Sequence, residues 1–142
     1  MSKFFQLDID IHDDVKNHIK QKHHNNTYIV FDLGSETTII NILKDRAPEF
    51  NRVILKGSSK IDMEIFNDLA MQPNEMHKAE LYKKRYGISD TAIAGTEYTC
   101  SQAAKRVMDS IIKDIKMCID FYLARCNGAH PDKIFLIGGG SQ

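Results

Sequence analysis

The chain has 142 residues, 42 % apolar and 27 % charged, an ordinary globular composition sized for one domain or two small lobes sharing a core. Nineteen basic and nineteen acidic residues give zero net charge and a pI near 7.0, which excludes bulk attraction to nucleic acid or anionic membranes. No apolar run reaches the ~18–20 residues of a spanning helix, and no basic-then-apolar start resembles a signal peptide; Cys100, Cys118 and Cys126, an odd number at no metal-binding spacing, point to reduced thiols in the cytosol.

Phe5, Leu7, Ile9 and Ile11 alternate with polar residues, which is the period of a strand. Asp13 and Asp14 suit the positive start of a helix running to about His24, and Asn25-Asn26 ends it. Tyr28–Leu33 is a continuous apolar run that reads as a buried strand. Thr37–Leu43, rich in β-branched residues, is the next strand. Asp45-Arg46-Ala47-Pro48 signals a turn, and Phe50–Lys56 follows as a third strand with Phe50, Val53 and Leu55 as its apolar side chains. Three strands joined by short turns make an antiparallel meander.

Helical periods begin after Gly57. Ser59 and Asp62 form a weak analogue of a capping box, and Ile61, Ile65, Phe66 and Leu69 share one face. Pro73 stops that helix and Asn74 caps the next. Met76, Ala79, Tyr82 and Tyr86 form its core stripe, and Gly87 ends it. Residues 88–99 lack a clear period and read as a loop with a short strand at Thr91–Ala94. Ser101 opens the longest helix, which reaches about Arg125 and stops at Asn127-Gly128. Its apolar arc, from Val107, Ile111 and Ile115 to Met108, Ile112 and Ile119, is wide enough to be covered on more than one side. Lys133–Ile137 is a final strand running into Gly138-Gly139-Gly140-Ser141. Glycines after a strand usually lead to a helix whose amides face a ligand, so the chain reads as a fragment of a longer protein.

Three segments carry candidate chemistry. In "FDLGSETTIINILK" an acid at a strand end (Asp32), a glycine (Gly34) and two threonines (Thr37, Thr38) could hold a phosphate or hydrated Mg²⁺; a polar hairpin has the same composition. In "KAELYKKRYG", Glu80 and Lys83 share a helical face and could meet a ribose hydroxyl and an adenine edge; the alternative is a Glu80–Lys84 surface ion pair. Gly138, Gly139 and Gly140 could let a flat adenine lie against backbone; the alternative is a flexible tail. Among the histidines (His12, His18, His23, His24, His77 and His130) the adjacent pair is better read as solvent-exposed than as metal ligands.

The order of these segments resembles the second half of the actin-like ATPase fold. "DLGSETT" is similar to its second phosphate loop, "AELYK" to its ribose and adenine helix, and "IFLIGGGS" to its adenosine loop. "NRVILKG" is similar to the strand leading to a Gly-Gly pair. "RVMDSIIKDIKMCIDFY" is similar to the long helix before the adenosine loop, and is closest to the PilM and GspL branch of type IV pilus and type II secretion systems. The resemblance spans about residues 27–141, and its half size suits a bundle-forming-pilus component of the BfpC type.

Departures from the family pattern decide what the resemblance implies. Ser35 and Glu36 stand where ATP-binding members carry small residues, Ile39 where a further acid is common, and Ser58 where a second glycine follows Gly57. Glu36 would repel a phosphate by about 1–4 kcal/mol. About two dozen residues precede Tyr28, too few for the lobe that supplies the other phosphate loop and the water-activating residue. The resemblance therefore implies a second lobe with a vestigial nucleotide site at Asp32, Gly34, Thr37, Thr38, Glu80, Lys83, Gly138, Gly139 and Gly140, without catalytic residue, metal or retained cofactor.

The expected fold is α/β: a mixed sheet of an antiparallel three-strand meander plus one parallel strand, flanked by helices. Residues 1–142 form one lobe, with core sheet and long helix in 1–57 and 88–142 and a small helical subdomain at about 58–87. The expected role is a non-enzymatic scaffold at the cytoplasmic face of the inner membrane. Its implied partners are the cytoplasmic assembly ATPase and an inner-membrane platform protein, with no nucleic acid, and membrane contact only through a downstream segment. The alternative is a nucleotide-binding or ATP-hydrolysing module completed by a second lobe or partner.

Overall fold

The structure, a computed structural model, describes residues 26–126 and 130–141. The strand expected around Phe5–Ile11, the helix from Asp13 to His24 with His12, His18, His23 and His24, and the Asn127-Gly128 stop lie outside these residues. Four strands form one sheet in the order β3-β2-β1-β4. They are β1 (Thr27–Leu33), β2 (Thr38–Lys44), β3 (Ala47–Ile54) and β4 (Lys133–Ile137). β1 and β2 pair antiparallel, as do β2 and β3, and β4 joins β1 in parallel. The helices are α1 (Ser59–Asp68), α2 (Met76–Tyr86) and α3 (Gly95–Arg125), with short 3-10 turns at Pro73–Glu75 and Gly139–Ser141. The mixed α/β sheet expected from the sequence is the one observed.

β1 and β2 alternate buried and half-buried residues along their length, because one face carries Ile29, Phe31, Ile40 and Ile42 against the C-terminal half of α3. Removing each such side chain from water contributes about 1.5–3 kcal/mol. The N-terminal half of α3 packs instead on α1 and α2 through Ile61, Ile65, Ala79, Ala103, Ala104 and Ile111, joined by Leu33 from β1. Ile115 touches both clusters, so α3 ties the helical layer to the sheet.

Several local expectations are corrected. The turn before β3 is only Asp45-Arg46, both with positive φ (51° and 67°), and Ala47-Pro48 already belong to the strand. Phe50 and Val53 are three apart, so on a pleated strand they face opposite sides. Phe50 and Ile54 face the core, while Val53 and Leu55 are exposed. A bulge supplies the phase: Ile42 pairs with Phe50 and Leu43 with Pro48, leaving Glu49 extra. Asn74 does not cap α2; Gln72 and Glu75 form a reciprocal capping box around Pro73. α3 begins at Gly95, not Ser101, and no strand forms at Thr91–Ala94. The Ser101 hydroxyl, fully buried, accepts from the Ser89 amide and donates to the Ser89 carbonyl at 2.9 Å each, and so pins the preceding loop to the helix.

The extra residue of the bulge has a partner. Glu49 accepts a hydrogen bond from the Tyr122 hydroxyl, and the Tyr122 ring lies 5.9 Å from that of Phe50. Burial pushes the Tyr122 phenol well above its ordinary value, and the bond to Glu49 adds to the rise. A raised folded-state value means that the fold retains a proton which the unfolded chain releases near pH 10. The stabilisation is complete below that pH and declines as pH climbs above it. Tyr122→Phe should therefore be less stable than the unmodified chain by about 1 kcal/mol from pH 7 to 9. The gap should close above about pH 10. Paired urea titrations across that range measure it, and a gap independent of pH would count against the bond.

Candidate functional site

β1, β3 and β4 run in one direction, so their carboxyl ends lie at one end of the sheet. Crevices at such ends are the usual ligand sites of α/β sheets. Asp32 on β1 stands beside Ile137 on β4. The chain leaves β1 into the Gly34–Thr37 turn, leaves β3 into Gly57-Ser58, and leaves β4 into Gly138–Gly140. These three stretches meet at backbone distance. A Cβ on Gly57 would lie 2.3 Å from the Ser35 carbonyl oxygen; one on Gly140 would lie 2.8 Å from Leu33 Cγ and 3.0 Å from Ser58 Cβ. Gly138 has φ +99°, and a Cβ there would lie 2.4 Å from Asp32 Oδ1 and 2.5 Å from the Leu33 carbonyl oxygen. Only glycine meets both demands.

The corner is held by its own hydrogen bonds. The Gly34 amide donates to the Thr37 carbonyl at 2.9 Å and closes the turn. The amides of Ser58 and Ser59, at the start of α1, donate to the carbonyls of Gly34 and Ser35, each at 2.9 Å. The next two amides of that helix donate to Gly57 and Ser58 carbonyls. The orphan donors that make a helix start an anion site are thus used on the protein itself.

The candidate residues divide. Asp32, Gly34, Gly138 and Gly140 are at the corner. Thr37 supplies the carbonyl that closes the turn. Thr38 is buried, and its hydroxyl donates to the Lys56 carbonyl at 2.9 Å, so it holds β2 to the strand end beyond β3. Gly139 has open space where a Cβ would be. Lys83 reaches the corner from α2: its ammonium lies 2.8 Å from Asp62 Oδ2 and 3.3 Å from the Ser58 carbonyl, with both ionic side chains less than one-fifth exposed. Glu80 does not join it. Its carboxylate pairs with Lys84 at 2.8 Å on the helix surface, and that hydrogen bond holds it below the ordinary carboxylate value.

Two residues outside the sequence-derived set complete the corner. Gly57 makes its closest approach, a role that a glycine after a strand already hints at. Asp62 shows no capping bond to Ser59; it holds Lys83, 21 residues away, and its Oδ1 is buried without a hydrogen-bond partner. No local pattern signals such a pair. Among the described residues no group of three histidine, cysteine or acidic side chains could hold a metal, and no helix is long and apolar enough to cross a membrane.

The two terminal glycines offer a paired test. Gly138→Ala meets backbone and an unfavourable φ, and should cost about 2 kcal/mol or more. Gly139→Ala meets nothing and should stay within about 0.5 kcal/mol of the unmodified chain. Urea midpoints measure both, and equal costs would refute the close approach of β4 to Leu33.

No family model matches the chain, and no curated protein matches it in sequence. Solved structures do resemble it. It is similar to the PilM-PilN type IV pilus biogenesis complex at 20 % identity and TM-score 0.66, over 83 % of this chain and 30 % of that one. It is similar to Ta0583, an archaeal actin homolog, at 17 % identity and TM-score 0.63, over 89 % of this chain and 40 % of that one. It is similar to a non-polymerising mutant of MamK bound to AMPPNP, at 20 % identity and TM-score 0.61, over 81 % of this chain and 42 % of that one. The chain thus spans less than half the length of each, and what it shares with all three is the actin-like fold.

Proposed function

We propose that this chain is a non-enzymatic scaffold, corresponding to the second lobe of the actin-like fold, in the inner-membrane assembly platform of a type IV pilus or related type II secretion system. On this reading it sits at the cytoplasmic face of the membrane and contacts the assembly ATPase and a platform protein. The observation that carries the proposal is the state of the corner. The first amides of α1 are spent on Gly34 and Ser35, Lys83 is held by Asp62, and Glu80 is held by Lys84. A nucleotide would have to displace contacts that the fold already makes. The likeness to a PilM-PilN complex supports the pilus context.

A second reading has one observation in its favour. Both glycine loops and Lys83 converge at the carboxyl ends of the strands, and one neighbour of the same fold is bound to AMPPNP. A nucleotide-responsive module completed by another lobe or partner would keep that convergence. Calorimetry separates the two. The scaffold reading expects no saturable heat when Mg-ATP is titrated into the chain, and no difference for Glu80→Ala. Submicromolar binding that Glu80→Ala abolishes would overturn it.

A further inference from the structure

β3 and α3 border an open groove of about 470 Å³. Phe50 and Ile54, which face the core from β3, line one side, and Met117 and Phe121 of α3 line the other. Met117 and Phe121 are one helical turn apart and remain 55 % and 54 % exposed. The Phe121 ring lies 6.4 Å from that of Phe50, so it stands at the groove. The groove also carries positive charge. Arg52 pairs across the ladder with Ile40, whose side chain is in the core under α3, so Arg52 stands on the α3 side of β3 between Phe50 and Ile54. Arg125 lies 5.5 Å over the Phe121 ring. The neighbouring carboxylates are engaged: Asp114 pairs with Lys56 at 2.7 Å, and Glu49 is held by the Tyr122 hydroxyl and Lys44. Lys113 and Asp120, seven residues apart along α3, share a helical side and offset one another. Exposed phenylalanine, methionine and arginine around a concave apolar lining are the residues enriched at protein interfaces.

We propose that this groove docks an amphipathic helix of a partner protein, which sets bulky apolar side chains one turn apart between β3 and α3 and carries acidic residues at its flanks. Three observations select this occupant. Met117 and Phe121 form a ridge at helical spacing, so a second helix laid along α3 meets them with residues of its own one turn apart. β3 does not favour an added strand, because Pro48 has no amide proton and the bulge opposite Leu43 breaks the ladder. Arg52 and Arg125 attract an acidic flank, and they disfavour a second copy of this chain, whose groove carries the same two positive charges. The surface lies on β3 and α3 and does not depend on the role proposed for the glycine corner.

The test is made on the full chain. A displayed library of amphipathic helical peptides of about four turns, with the apolar positions varied and either glutamates or lysines at the flanks, is selected against the folded protein. The enriched peptides are synthesised and titrated by fluorescence anisotropy. The glutamate-flanked pool should be enriched over the lysine-flanked one. Its binders should lose about 10-fold or more in affinity to Phe121→Ser and to Arg52→Glu. They should bind Leu81→Ser, altered at an exposed side chain of α2, as they bind the unmodified chain. Amide exchange of α1, alike in all variants, reports an intact fold. Met117→Ser repeats the test without touching the ring beside Phe50. Equal enrichment of both pools, enrichment of neither, or binders indifferent to Phe121→Ser, Met117→Ser and Arg52→Glu would overturn the proposal. A dimer in sedimentation that Phe121→Ser disperses would overturn it in favour of a second copy. NOEs from the Phe121 ring to residues 1–25 in the free chain would overturn it in favour of the chain's own N-terminal stretch.

Discussion

The amides of Ser58 and Ser59 donate to the carbonyls of Gly34 and Ser35, and the rest of the carboxyl end of the sheet is arranged around those two bonds. They require Gly57, because any Cβ there would sit inside the Ser35 carbonyl. They also set where α1 starts and which way it points. From that start, Ile61 and Ile65 are aimed at α3, and Asp62 is aimed at Lys83 of α2. The β1–β2 turn gives up two carbonyls and the helix gives up two amides, so neither is left as an unpaired group, which would cost about 1–3 kcal/mol if buried.

α3 carries that arrangement to the far side of the molecule. Its 31 residues lie first on α1 and α2, then on the sheet. Charged contacts mark both junctions. Arg106 pairs with Asp68 at 2.5 Å and Glu64 at 3.2 Å on α1. Lys56, at the end of the chain leaving β3, pairs with Asp114 at 2.7 Å and with the Ser110 hydroxyl at 2.8 Å. Exposed pairs of this kind contribute little energy each. Their value here is directional, since they register α3 against α1 and β3 while the apolar contacts of Val107, Ile111 and Ile115 supply the attraction.

What the sequence disclosed follows from how local the cause is. The strands at Tyr28, Thr37 and Lys133 were legible because period and β-branching act within a few residues. The order of glycine loops was legible because glycines directly after an apolar strand stand out in the sequence itself, whereas which of them is required, Gly138 but not Gly139, depends on segments distant in the chain. β3 was misphased because its phase is set by a bulge opposite Leu43, and Glu49 is displaced toward Tyr122 on a helix 73 residues further along. The start of α3 was placed late because Ser101 looks like a cap, yet its hydroxyl serves the Ser89 backbone. Glu80 and Lys83 share a helical face in any reading. Which of them turns inward depends on Asp62, which lies on a different helix.

The two edges of the sheet are built differently, and the difference bears on the corner. β3 is an edge that resists pairing: Pro48 has no amide proton, a bulge interrupts its ladder, and Asn51 and Arg52 are exposed along it. β4 has none of these devices between Ile134 and Ile137. Among the described residues the two outer strands of the sheet thus differ in character, and β4 is the one that leads into the glycines. Gly138 and Gly140 sit so near Asp32 and Leu33 that β4 cannot shift toward β1 without backbone collision. The placement of β4 and the geometry of the glycine corner are thus one property, joined through a strand of five residues.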